Sequence, residues 1–244
     1  MPVVRAHRSG RLQADFFEVE EIKLLHNKDV WNPPVTGAVY GTLLNYQGTL
    51  DQMGADLDEP PYQSPPKAPI LYMKPVNTLI GHLANVPMPE EEEQLEVGAS
   101  IGIVIGKKAT QVKADQALDY VAGLTIVNDV SIPHESVFRP AVKEKARDGF
   151  CPIGPWVMGL DHIPELGQLT IKVYVNGELM QHNHTSNLVR AIPDLLQDVT
   201  EFMTLYEDDV LMVGVPENPP LARDGDTVQI EIDPIGVLKN KVTK

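Results

Sequence analysis

Two apolar runs, ASIGIVIG at residues 99–106 and GLTIVNDVS at residues 123–131, decide how this chain folds. Each is short and lacks helical periodicity, and β-branched side chains crowd both, so both read as buried strands. The glycines of the first run imply close backbone neighbours. The second run ends on Asn128 and Asp129, which it delivers where a strand gives way to a loop. Between them, the stretch from Ala114 predicts an amphipathic helix that ends near Gly123 and feeds the second strand.

Working outward, AVYGTLLNY (38–46) opens the main domain, and QSPPKAPILYMKP (63–75) predicts loops around a short buried strand, because its prolines exclude helix. The acidic run at 90–93 reads as a solvated loop. LTIKVYVNGELMQ (169–181) alternates with period two and carries Asn176-Gly177, a strong hairpin signal. LVRAIPDLLQDVTEFMTLYEDD (188–209) predicts a helix with Pro193 near its start, and DVLMVGVP (209–216) and DTVQIEIDPIGVLKNKV (226–242) predict further strands. Many short strands with turn signals and two helices favour a β-sandwich or roll over an alternating βαβ fold. Residues 1–36, including the ambiguous ADFFEVEEIKLL (14–25), read as an amino-terminal appendage, and residues 37–244 as one domain.

A chain of 244 residues, 43% hydrophobic, can bury a substantial core, and its formal charge of -14 argues against a nucleic-acid or anionic-membrane surface. Small molecules and other proteins are the expected partners. The single cysteine, Cys151, cannot form an internal disulfide and reads as a packed small hydrophobe. No run approaches the length of a membrane span and no signal pattern opens the chain, so a cytoplasmic location is the expectation.

Eight separated motifs keep a common order: LLNY, PILYMKP, IGIVIG, YVAGLTIVNDVS, KARDGFCPIGPW, VYVNGELMQ, LYEDDVLMVGVP and GDTVQIEIDPIGVL. Together, over residues 38–242, they resemble the fumarylacetoacetate hydrolase family. The resemblance implies a mainly β fold with a few helices, the mixed β-sandwich roll of that family's carboxy-terminal domain. Within the family the likeness is to the branch that decarboxylates and isomerises 2-oxo or enol di- and tricarboxylates in homoprotocatechuate (4-hydroxyphenylacetate) catabolism. In that branch the enzyme has two related halves, and this chain is similar to the amino-terminal one or to a separately encoded subunit equivalent to it.

Family members hold Mg2+ or Mn2+ with two glutamates spaced i and i+2 and an aspartate, because side chains two apart on a strand share a face. Aligned on IGIVIG, the glutamate positions fall on Gly98 and Ser100, while Asp129 matches the aspartate. Glu96 lies two residues early and would need a bulge to serve. The resemblance therefore implies a degenerate metal site, with no tight binding by this chain. The acid-base pair common in relatives is replaced by Thr49 and Gln52, the family's arginine by Pro133, and the Thr-Gly-Thr-Pro turn by Val213 to Pro216. Asn45, Tyr46, Lys74, Gln181 and Thr185 survive as substrate-binding candidates. Lys145 and the adjacent pair His134 and Glu135 supply the catalytic candidates, although adjacent side chains on a strand diverge.

Three functions follow: a subunit whose metal chemistry resides in a homologous metal-competent unit or second copy, an autonomous lyase, isomerase or hydrolase with a reorganised site, and a non-catalytic 2-oxo acid binding protein.

Overall fold

The computed structural model describes residues 3–8, 15–18, 21, 30–134 and 140–244. Its centre is the strand Ala99–Ile105, every residue of which is buried. It runs antiparallel to Val121–Asn128, which in turn pairs antiparallel with Cys151–Met158. On the other side lie Val210–Met212, then Val39–Leu43, then Ile70–Lys74 as the edge. Among the described residues this sheet counts ten strands, and it packs against a five-stranded sheet ordered Glu178–His184, Thr170–Val175, Thr227–Asp233, Gly236–Thr243 and Asn85–Pro87.

The alternation of the central strands assigns their two faces. Ile101, Ile103, Leu124 and Ile126 point toward Ile171, Val173, Ile230 and Ile232 of the five-stranded sheet and form the main core with them. Val104 and Val127 point the other way, into a smaller cluster with Val210, Met212 and Ile153. Both faces of the strands are covered, which is why their sequences read as continuous apolar runs. Burying each of these Ile or Leu side chains contributes about 2 kcal/mol. Trp156 ties the layers together, its indole N–H donating to the Ile235 carbonyl at 2.6 Å.

The hairpin at Asn176-Gly177 and the helix Ile192–Phe202, with Pro193 in its first turn, fall where the sequence places them. Three expectations are corrected. The stretch before Val121 is a short 3-10 helix, Ala114–Tyr120, and Gly123 lies inside the following strand. A Cβ at Gly123 would stand 2.2 Å from the Met158 carbonyl oxygen, so this glycine answers to a neighbouring strand and not to a helix end. Ile70–Lys74 is an edge strand, of which only Lys74 is fully buried. The described part of the expected 1–36 appendage is built into the large sheet, Val3–Arg8 pairing with both Asp15–Glu18 and Cys151–Met158. No helix among the described residues is long and apolar enough to cross a membrane.

Candidate functional site

Asp129 sits just past the end of Val121–Asn128, where the two central strands close on each other: its amide donates to the Gly98 carbonyl at 2.8 Å. A Cβ on Gly98 would lie 2.4 Å from the Asp129 carbonyl oxygen, so the pinch requires glycine there. The edge strand Ile70–Lys74 passes in front of this end. Tyr72 and Lys74, two apart and therefore on one face, both reach the carboxylate. Tyr72 Oη donates to Asp129 Oδ2 at 2.5 Å, and Lys74 Nζ lies 2.9 Å from Oδ1. Lys145, from the short helix Val142–Lys145, donates to Oδ2 at 2.7 Å.

The result is a buried carboxylate between two ammonium groups and a phenol. The Lys74 side chain has no solvent exposure, and its ammonium also donates to the carbonyls of Val130 at 3.0 Å and Lys145 at 2.7 Å. Burial pushes the Asp129 pKa up, but the charges of Lys145 and Lys74 outweigh it and hold the carboxyl well below the ordinary range. The Tyr72 phenol is pushed well above its usual value by burial and by the neighbouring Asp129 charge. Cys151 is fully buried, and burial pushes its thiol up to about 12, which leaves it protonated and inert at neutral pH.

A polar cavity of about 230 Å³ opens onto this centre, with Thr49, Gln52, Glu96, Gly98, Ser131, His134 and Glu217 in its walls beside Tyr72, Asp129 and Lys145. Glu96 Oε2 accepts from Ser131 Oγ at 3.1 Å and lies 3.9 Å from His134 Nδ1. That His134 nitrogen is also 3.0 Å from the Ile132 carbonyl, which accepts a proton carried on Nδ1. Ser100 is fully buried, its hydroxyl 3.4 Å from the Ile101 carbonyl.

Of the residues singled out by sequence, the structure brings together Lys74, Asp129, Lys145 and His134; Glu135 lies outside the described residues. Asn45 is buried and spends its amide on backbone, donating to Val213 O at 2.8 Å and accepting from Arg190 N at 2.9 Å. Gln181 donates to the Glu217 carbonyl at 2.7 Å, behind the loop that forms one cavity wall. Thr185 bonds Leu166 O and Leu169 N, and Tyr46 is fully buried beneath. None of these four is in the cavity wall. Tyr72 goes unmentioned among the sequence candidates, yet its i, i+2 relation to Lys74 in LYMK is a signal that could have found it.

Residues 38–243 match the fumarylacetoacetate (FAA) hydrolase C-terminal family. The chain is 36% identical over 206 residues to a 4-hydroxyphenylacetate degradation bifunctional isomerase/decarboxylase of Salmonella dublin, covering 84% of this chain and 47% of that protein. It is 37% identical over the same span to a homoprotocatechuate catabolism bifunctional isomerase/decarboxylase of Escherichia coli, again 84% of this chain and 47% of the relative. This chain thus spans about half the length of these curated relatives. Among solved structures, 5-carboxymethyl-2-hydroxymuconate delta-isomerase from Mycobacterium smegmatis superposes with a TM-score of 0.78 at 26% identity, covering 100% of this chain and 98% of that one. With its roll, its motif order and its matched span in agreement, the chain belongs to the fumarylacetoacetate hydrolase C-terminal family.

Proposed function

We propose that this chain is a component of an isomerase/decarboxylase acting on 2-oxo or enol di- or tricarboxylates of homoprotocatechuate catabolism, with the metal chemistry supplied by a homologous, metal-competent unit. The observation that carries the reading is the occupancy of Asp129. Both of its oxygens already face ammonium groups, at 2.9 and 2.7 Å, and Tyr72 adds a third donor. A hard divalent cation needs several oxygen ligands, and here the neighbouring positions offer Gly98, with no room for a side chain, and a buried Ser100 hydroxyl. These residues do not fit the family's Mg2+ or Mn2+. The half-length match to bifunctional relatives supports a second unit as partner.

In this reading Asp129 holds Lys74 and Lys145 in place, and Lys145, at the cavity wall, keeps an N–H for a ligand oxygen. The chain orients and shields; the partner unit stabilises the enolate formed as carbon dioxide leaves or a proton moves. A second reading, an autonomous proton-shifting site, is favoured by Glu96 and His134 facing each other across 3.9 Å in the same cavity.

The test is turnover of 5-oxopent-3-ene-1,2,5-tricarboxylate with magnesium, by this chain alone and mixed with a metal-competent homologous unit, each with a chelator control. Activity only in the mixture, above the partner's own rate, supports the subunit role. Chelator-insensitive turnover by this chain alone, lost in Glu96→Gln, supports the second reading.

A further inference from the structure

The strand Glu178–His184 is the outer strand of the five-stranded sheet, and its two faces carry different chemistry. Gln181 and Asn183 are buried and point inward: Asn183 donates to Glu217 Oε1 at 3.0 Å, and Gln181 holds the backbone of the same loop. His182 and His184 alternate with them and so share the outward face. His182 is exposed and His184 half-buried, and their ring centroids stand 4.9 Å apart at an interplanar angle of 80°. Neither lines the polar cavity.

We infer that His182 and His184 form a two-imidazole chelate for a first-row transition-metal cation, Cu2+ above all, on the solvent face of this sheet. The site goes beyond the proposed function and does not depend on it. Spacing is the first argument. With a metal–nitrogen bond of about 2.0–2.1 Å, a cation shared by two imidazoles lies about 3.2 Å from each ring centroid. Centroids 4.9 Å apart then subtend about 100° at the cation, between a square-planar and a tetrahedral angle. The exposed His182 ring can turn a nitrogen to that point without disturbing the core. The surroundings are the second argument. The register places Thr170 opposite His184 and Lys172 opposite His182, with Asp233 and Glu231 next in the same two rows. Lys172, the cation that faces the pair, is itself paired with Glu231 at 3.3 Å. Thr170 Oγ1 lies 3.4 Å from His184 Nδ1, so a proton on that nitrogen has an acceptor while Nε2 presents its lone pair. Among the described residues no group of three or more His, Cys, Asp or Glu side chains is arranged to hold a metal, so the chelate is bidentate and its other positions go to water. Imidazole nitrogen with water oxygen suits tetragonal Cu2+, and is a poor match for the hard cations that prefer carboxylates.

Isothermal titration calorimetry of the full chain with CuCl2, together with electron paramagnetic resonance of the Cu2+ complex, tests this. One equivalent is expected to bind at micromolar Cu2+ with nitrogen hyperfine coupling. Ni2+ and Zn2+ should bind more weakly and Mn2+ not in that range, since affinity rises along the first row from Mn2+ to Cu2+. His182→Ala and His184→Ala should each weaken the site about 100-fold with an unchanged circular dichroism spectrum, because each removes the gain of an intramolecular second ligand. His162→Asn, which removes a histidine paired with Asp161 at 3.1 Å, should leave binding unchanged. Absence of a stoichiometric Cu2+ site, a site that survives the His182→Ala/His184→Ala double variant, or one that is lost in His162→Asn would each overturn the inference and leave the pair as edge-to-face ring packing. None of these results bears on turnover, so the chelate and the subunit role stand or fall separately.

Discussion

Tyr72 donates to Asp129 through Oδ2, at 2.5 Å, the same oxygen that receives Lys145 at 2.7 Å. One buried carboxylate thereby fixes an edge strand, a strand end and a short helix at the head of the cavity. Its removal should be felt first in stability.

Asp129→Asn leaves the buried Lys74 ammonium with only carbonyl partners, and breaking a buried ion pair in this way costs about 3–5 kcal/mol. Lys74→Met should cost a similar amount, and the double variant less than the sum of the two. Urea denaturation of the four proteins measures the coupling; strict additivity would show that the contact carries no net interaction.

The pH dependence has a definite sign. The Asp129 carboxyl titrates lower in the folded chain than in the unfolded one, so the unfolded state binds more protons between the two values. Its contribution is full above the unfolded value of about 4 and is lost as pH falls toward the folded one. The urea midpoint of the native protein should therefore drop more steeply below about pH 4 than that of Asp129→Asn, followed from pH 6 to pH 3.

Restoring the family's acidic residues should fail at one position for steric reasons. Even Gly98→Ala places a carbon 2.4 Å from the Asp129 carbonyl oxygen, so it should cost about 2 kcal/mol or more and Gly98→Glu should not fold. Thermal melts decide this, and a stable Gly98→Glu protein would mean that the pinch between the strand ends relaxes easily.

Gln181 offers a positioning test. Its amide spans the carbonyls of Pro216, Glu217 and Asn218, and the loop containing them walls the polar cavity. Gln181→Ala should lose about 1–2 kcal/mol and weaken ligand binding without removing any group from the cavity wall. Unchanged stability and affinity would show that the loop holds its shape unaided.

How much of this was legible in the sequence depends on range. Ala99–Ile105 and the Asn176-Gly177 hairpin were readable because local pattern and burial agree there. The strand at Val121 was misplaced within a predicted helix because Gly123 resembles a helix stop, whereas its cause is the Met158 backbone on another strand. Likewise, Asn45 and Gln181 look like binding groups in a motif, but their partners are carbonyls 168 and 36 residues away. Polar residues buried for structure and polar residues facing a ligand have the same letters. The convergence of Tyr72, Lys74 and Lys145 on Asp129 depends on an edge strand crossing a strand end, a relation that no local spacing encodes.

The most direct test of the central claim, that ammonium groups and not a metal ion occupy the Asp129 carboxylate, is a titration of the purified chain with Mn2+, following free Mn2+ by electron paramagnetic resonance. The account predicts no saturable site below millimolar Mn2+ and the same trace for Asp129→Asn. A stoichiometric site at micromolar Mn2+, abolished by Asp129→Asn, would contradict it and return this chain to the metal-dependent members of its family.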